Sequence, residues 1–199
     1  MGRGVRIHHP GLIYHVINRG NNRQAIFLEE ADYRRYLDVV YRFKKKYEFQ
    51  LYAYCLMTNH VHLLIRVSEK GSISKFMQKL TTAYSMYFNN KYKRTGTLFE
   101  GKFKAEHINK DTYLKYLFSY IHLNPIKLID SKWKEDGIKN KRQVIDFLRN
   151  YKYSSYQDYL GINRQEKIIL NRDMFPEYFP TKKFLEKEIF EWLTYRQDL

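Results

Sequence analysis

Phe49-Gln50-Leu51-Tyr52-Ala53-Tyr54-Cys55-Leu56-Met57-Thr58-Asn59-His60-Val61-His62-Leu63-Leu64-Ile65-Arg66-Val67 is the stretch that decides the fold. Two short apolar runs rich in β-branched and aromatic residues flank Thr58 and Asn59, a spacing that predicts a hairpin of two antiparallel strands. Successive strand side chains alternate between faces. In the second run Val61, Leu63, Ile65 and Val67 therefore share one face, and His60, His62 and Arg66 share the other with Leu64 as its only apolar member.

Working outward, Tyr33, Tyr36, Leu37, Val40, Phe43 and Tyr47 recur at helical spacing before the hairpin. Ahead of them Leu12-Ile13-Tyr14-His15-Val16-Ile17-Asn18 reads as a strand running into the polar loop Arg19-Gly20-Asn21-Asn22-Arg23. After the hairpin, Ile73, Phe76, Met77, Leu80, Tyr84, Tyr87 and Phe88 mark one helix face, with Ser72 or Ser74 as its cap. A basic, glycine-loosened stretch from Lys91 to Lys104 overlaps the start of a strand expected over Phe103 to Ile108. Asp111 is the expected N-cap of a helix carrying Tyr113, Leu114, Leu117, Phe118 and Ile121, and Pro125 is expected to push Asn124 out of helical geometry. An amphipathic helix bearing Leu185, Ile189 and Trp192 is expected near Thr181 to Tyr195. The order β-α-β-β-α-β-α places the chain in the α+β class.

A chain of 199 residues can bury a full core without staples, and its single Cys55 excludes an intramolecular disulfide framework. No run approaches the ~18 apolar residues of a membrane span, and the start shows no apolar leader segment, so a cytoplasmic protein with no membrane partner is the expectation. The formal net charge of +15 points to a polyanion, nucleic acid before membrane. From Thr181 onward basic and acidic residues balance, so the excess lies in residues 1–180.

Chemistry could reside at two places. His60 and His62 leave one strand face and could converge on a metal ion, although spacing alone equally fits two solvated histidines. Tyr120 and Asn124 stand one helical turn apart and could offer a nucleophile and an amide oxygen to one site. Tyr113, Tyr116 and Tyr120 also form an aromatic stripe of the kind that fills cores. Spacing leaves both alternatives open. Lys91, Lys93, Arg94, Lys102 and Lys104 are interleaved with Tyr92, Phe99 and Phe103, which suits a cationic groove with stacked bases as well as it suits a solvated loop. Arg19, Asn21 and Arg23 form a second candidate patch.

The runs Tyr54-Cys55-Leu56-Met57-Thr58-Asn59-His60-Val61-His62-Leu63-Leu64-Ile65, Gly96-Thr97-Leu98-Phe99-Glu100-Gly101-Lys102-Phe103-Lys104 and Tyr120-Ile121-His122-Leu123-Asn124-Pro125 resemble the single-tyrosine transposases of the His-hydrophobe-His (HUH) superfamily, most of all the REP-associated tyrosine transposases. Tyr14 to Gly20 and Tyr153-Ser154-Ser155-Tyr156 extend the resemblance over about residues 8–160. It implies a ferredoxin-like antiparallel sheet with helices on one face and the histidine pair on a middle strand. It also implies a catalytic domain over 1–160 and a helical C-terminal extension over 161–199 packed on it.

By the same resemblance His60 and His62 are metal ligands, Tyr120 is the nucleophile, and Asn124 occupies the place of a further polar ligand that is often Gln in relatives. Such a site would hold Mg²⁺ or Mn²⁺, hard ions suited to phosphate oxygens. Its substrate would be single-stranded DNA with hairpin structure, cut through a 5′-phosphotyrosine and rejoined. The family includes monomers and dimers, so a homodimer is one of two assemblies left open. Two rival readings remain at this point, namely a DNA- or RNA-binding protein of the same fold without chemistry, and a replication initiator or relaxase-like nickase.

Overall fold

The computed structural model describes residues 9–194. Strand β1 (Ile13–Arg19) leads through a 3-10 turn (Asn21–Arg23) and a short connecting segment into helix α1 (Glu30–Lys46), then the hairpin β2 (Phe49–Met57) and β3 (His60–Val67). Helix α2 (Ile73–Lys91), strand β4 (Lys104–Ile108) and helix α3 (Asp111–Leu123) follow. Four further helices, α4 (Trp133–Asp136), α5 (Lys141–Asn150), α6 (Tyr156–Tyr159) and α7 (Lys182–Thr194), belong to the C-terminal part. Tyr195, the expected end of α7, lies outside the described residues.

The sheet order is β2-β3-β1-β4, all neighbours antiparallel, which is the ferredoxin-like order with the histidine strand β3 in the interior. Thr58 and Asn59 make the hairpin turn, and their carbonyls accept from Ile26 and Gly20 N–H groups, so the turn is anchored as well as tight. Gly20 is obligatory there, because a Cβ would lie 2.2 Å from the Gln24 carbonyl oxygen.

The alternation along β3 sorts two cores. Val61, Leu63, Ile65 and Val67 pack with α1 and α2 residues such as Tyr36, Leu37, Phe76 and Leu80 on one face. Leu64 packs with Leu117, Phe118 and Ile121 of α3 and with Trp133, Leu148, Leu185 and Ile189 on the other. The two crossover helices share one face, and α3 with the C-terminal segments covers the second. The histidine side of β3 is therefore covered at His62, which is only 3% exposed, while His60 is half-buried and Arg66 exposed.

In β2 the register shifts between Leu51 and Ala53, and this bulge turns both Tyr52 and Ala53 toward the second core. The outer edge of β2 is closed by the chain itself: Leu56 N–H donates to the Tyr153 carbonyl, Ser155 N–H to Tyr54, and Asn171 N–H to Leu51. The opposite edge strand, β4, has no strand beyond it among the described residues.

Three local expectations are settled by the geometry. Ser72 does cap α2, accepting from the Lys75 N–H at 3.3 Å. Asp111 does not cap α3: Lys110 holds the N-cap position and Asp111 is the first helical residue. Its carboxylate instead accepts a short hydrogen bond from the Tyr178 hydroxyl, a tertiary tie to the C-terminal segment. Pro125 does not expel Asn124 from helical geometry either. Asn124 keeps φ −53° and ψ −37°, and the chain tightens into a 3-10 turn over Asn124–Leu128 in which Pro125 sits in the first turn and needs no donor.

Candidate active site

That continuity matters, because it leaves Asn124 one turn beyond Tyr120 on the same side. The Asn124 amide nitrogen donates to the Tyr120 carbonyl at 2.8 Å, which directs its oxygen the other way. The Tyr120 ring meets His62 edge-on, with centroids 5.9 Å apart and planes at 90°. His60 and His62 leave the same face of β3 with ring centroids 4.9 Å apart. The sheet thus offers two imidazoles, and the last turn of α3 brings the Tyr120 ring to one of them, with Asn124 one turn further on.

Each histidine is oriented by a second group. Nδ1 of His60 lies 2.7 Å from the Asn59 side-chain oxygen, so it donates there and leaves Nε2 with its lone pair. Nδ1 of His62 lies 2.9 Å from Nε2 of His15, a β1 residue that is 4% exposed. The His15 and His62 rings are stacked at 5.1 Å with planes 14° apart.

Burial keeps these rings neutral. It lowers His15 to a pKa of about 4. Burial, with the charges of Lys127 and Arg19, brings His60 to about 4. His62 is held well below the ordinary value by burial, then by His15, His60 and Lys127. Neutral imidazole is the state that can ligate a cation. Tyr120 is shifted the opposite way from what a nucleophile needs. Burial, then Tyr116, raises its pKa while Asn124 opposes the rise, so a bare site favours the phenol over the phenolate.

His62 Nε2 and Asn124 Oδ1 are buried without hydrogen-bond partners. Unsatisfied buried polar atoms are costly, and an imidazole nitrogen and an amide oxygen are both cation ligands. The residues therefore fit a divalent ion. Among the described residues no group of three or more His, Cys, Asp or Glu side chains could hold one. Two imidazoles and an amide around such an ion would leave coordination positions for water or phosphate.

His60 opens onto a cleft of about 1290 Å³ that runs over β1 toward the edge strand β4. Arg19, Arg23, Lys102 and Lys104, four of the basic residues singled out in the sequence, line it together. Lys127 joins them, and the single carboxylate of the lining, Glu100, is paired with Arg19 at 2.6 Å. Positive charge therefore dominates the approach to the histidines. Tyr120 is half-buried and does not line the cleft.

The other singled-out residues lie elsewhere. Lys91 is not a groove residue: its ammonium is 2.7 Å from the fully buried Asp32 and 2.6 Å from Glu29. Arg94 donates to the Gln24 side chain at 2.6 Å and sits over the Phe88 ring. Lys93 is exposed, and Asn21 is half-buried with its N–H on the Leu98 carbonyl. Nor do the interleaved aromatics form a stacking platform. Phe99 is in the core, Phe103 packs against it, and the Tyr92 hydroxyl donates to Asp32. Burying a large aromatic is worth ~2 kcal/mol or more, which outweighs display to solvent.

Three residues near the site escaped the sequence reading: His15, Lys127, and Lys134, whose ammonium lies 4.6 Å over the Tyr120 ring. His15 left a signal, since it is offset by two residues from Ile13 and Ile17 on one strand face, but the pairing of Ile17 with His62 had to be known to use it. Lys127 and Lys134 look like any surface lysine in the sequence.

A ferredoxin-like α+β sheet with a histidine pair beside a tyrosine and a cationic cleft is an arrangement suited to a nucleic-acid partner. The family model described as transposase IS200-like matches residues 8–124, more than half of the chain, and the chain belongs to that family: it is a transposase. No match is found among the curated proteins. Among solved structures, a REP-associated tyrosine transposase bound to a REP hairpin superposes with a TM-score of 0.61 at 15% identity, covering 81% of this chain and 86% of that one. This likeness is one of fold. A candidate transposase from Deinococcus radiodurans R1 matches with a TM-score of 0.43 at 20% identity, over 59% of this chain and 93% of that one. The tRNA(His) guanylyltransferase of Saccharomyces cerevisiae gives 0.45 at 11% identity, over 88% and 85%. Neither of these two superpositions is close enough to bear on function.

Proposed function

We propose that this transposase cleaves and rejoins single-stranded DNA through Tyr120, with His60, His62 and Asn124 holding a Mg²⁺ or Mn²⁺ ion. The observation that carries the reading is the pair of buried, partnerless ligand atoms, His62 Nε2 and Asn124 Oδ1, on the two groups that contact Tyr120. When bound, the ion supplies Lewis-acid polarisation of the scissile phosphate and stabilises negative charge at the phenol oxygen.

The chain's own groups do the rest. Arg19, Arg23, Lys102, Lys104 and Lys127 draw the DNA backbone into the cleft and set its direction past His60. The Tyr120 phenol loses its proton, its oxygen bonds to phosphorus, and the bond from phosphorus to the 3′-oxygen breaks, leaving a 5′-phosphotyrosine and, after proton uptake, a free 3′-OH. Attack by a 3′-OH on that linkage reverses the step and reseals a strand, so no nucleotide cofactor is consumed. Half-burial of Tyr120 limits water as the competing acceptor. A hairpin is the proposed form of the substrate, in keeping with the hairpin bound by the REP-associated relative.

The test is incubation of labelled single-stranded hairpins with Mn²⁺ and either wild-type or Tyr120→Phe protein, followed by denaturing gels. A labelled covalent adduct with wild type alone supports the reading. Binding without an adduct, across metals and substrates, favours a DNA-binding protein that has kept the fold and lost the chemistry.

A further inference from the structure

Two buried imidazoles share one hydrogen bond across β1 and β3. His15 Nε2 and His62 Nδ1 are 2.9 Å apart, and a hydrogen bond between two nitrogens needs one proton and one lone pair. Both rings are neutral, so each carries a single proton, and two arrangements exist. Either His62 donates through Nδ1 and presents a bare Nε2, or His15 donates through Nε2 and His62 carries its proton on Nε2. Only the first leaves His62 able to ligate a cation.

We infer that His15 is the positioning residue of the site: it accepts the hydrogen bond of His62 Nδ1–H and so fixes His62 in the tautomer whose buried Nε2 carries a free lone pair. The inference rests on the metal-site reading above and extends it to a residue outside the ligand set. Two observations favour this direction. His62 Nε2 is buried with no acceptor within reach, so a proton there is a stranded donor. A stranded donor in a dry site costs ~1–3 kcal/mol. In the accepting arrangement the His15 proton sits on Nδ1, which is not among the buried polar atoms without a partner. The two rings lie with planes 14° apart and both residues are nearly inaccessible, so the pair is held in place whichever nitrogen carries the proton.

β-Strand register builds this contact. Ile17 pairs with His62 and His15 with Leu64, so His15 lies diagonally across from His62 on the same sheet face, which is the spacing that lets long side chains meet. Ligating histidines are generally held by such an acceptor on the other ring nitrogen, and its loss costs ~10–100-fold in metal affinity.

The test uses the full chain, ¹⁵N-labelled and metal-free, with long-range ¹H–¹⁵N spectra of the histidine rings, before and after Mg²⁺. The expected spectrum shows His62 Nδ1 protonated and Nε2 bare. Mn²⁺ titration by calorimetry should then give ~10–100-fold weaker binding for His15→Leu and near wild-type binding for His15→Gln, whose amide oxygen can accept the same proton. A protonated His62 Nε2 in the wild-type spectrum, or unchanged Mn²⁺ affinity in a folded His15→Leu protein, overturns the inference. Should His15→Leu fail to fold, the wild-type spectrum and the Gln variant still decide. If wild type binds neither ion, the metal-site reading fails, and the spectrum separately reports whether His15 accepts.

Discussion

Lowering the pH from 8 to 5 should destabilise the metal-free protein by about 4 kcal/mol through two buried histidines alone, taking each group's ordinary pKa for the unfolded chain. His15 titrates near 4 in the folded state and His122 near 3, both because of burial, against an ordinary value of 6.5. A folded-state pKa below the unfolded one means that the unfolded chain binds more protons between the two values. Stability from such a group is complete above pH 6.5 and falls, by at most ~1.4 kcal/mol per pH unit, as the pH drops toward the folded pKa. At pH 5 each group has lost about 2 kcal/mol relative to pH 8, and His62, lowered in the same sense, adds to the loss. Paired carboxylates act elsewhere: Asp32 is held below 3.8, with burial opposing and the Lys91, Leu28 and Tyr92 bonds prevailing, so its contribution is lost only at lower pH. Urea unfolding in EDTA, followed by circular dichroism at pH 8, 7, 6 and 5, measures the effect. His122→Gln keeps a partner for Ser155, now 2.7 Å from His122 Nε2, and removes the titration, so it should abolish about half of the two-group pH dependence. A flat profile between pH 8 and 5, or the same slope in His122→Gln, would refute the reasoning.

Lys91→Met should destabilise the fold by about 3 kcal/mol or more in urea unfolding at pH 7, because it strips the buried Asp32 of its cation, and leave DNA affinity within twofold. Lys102→Ala with Lys104→Ala should do the reverse: unfolding unchanged within ~0.5 kcal/mol, single-strand binding weaker, and the log–log salt slope shallower by roughly 0.7 for each phosphate that the two lysines no longer neutralise. Equal salt slopes for this double variant and wild type would remove those lysines from the interface. Asn124→Ala should weaken Mn²⁺ binding in calorimetry with little loss of fold, since its amide bonds locally to Tyr120 at a helix end; unchanged affinity would take Asn124 out of the ligand set.

The fold was legible because its signals are local. Alternation along β3, the Thr58-Asn59 turn and the apolar stripes of α1 and α2 each lie within one element, and the sheet order then followed the element order. What was hidden depends on partners far along the chain. Asp111 has the composition of a cap, yet the Tyr178 hydroxyl claims its carboxylate from 67 residues away. Lys91 looked like part of a basic run until Asp32, 59 residues distant, was seen beneath it. Phe99 and Phe103 sit among lysines and glycines, but the core had room for their rings. His60, His62, Tyr120 and Asn124 could be picked out by motif. Their joint geometry needed the face that α3 covers, and His15 needed a strand register set over 47 residues.

The most direct measurement is mass spectrometry of the wild-type protein after reaction with a single-stranded hairpin in Mn²⁺ and digestion with trypsin and nuclease. Cleavage after Lys115 and Lys127 releases the peptide Tyr116 to Lys127, which holds two tyrosines side by side on one helix face. The account predicts a nucleotide linked through its 5′-phosphate to Tyr120, with Tyr116 unmodified. Attachment at Tyr116, a 3′-phosphate linkage, or no modified peptide under conditions that cleave the DNA would contradict it.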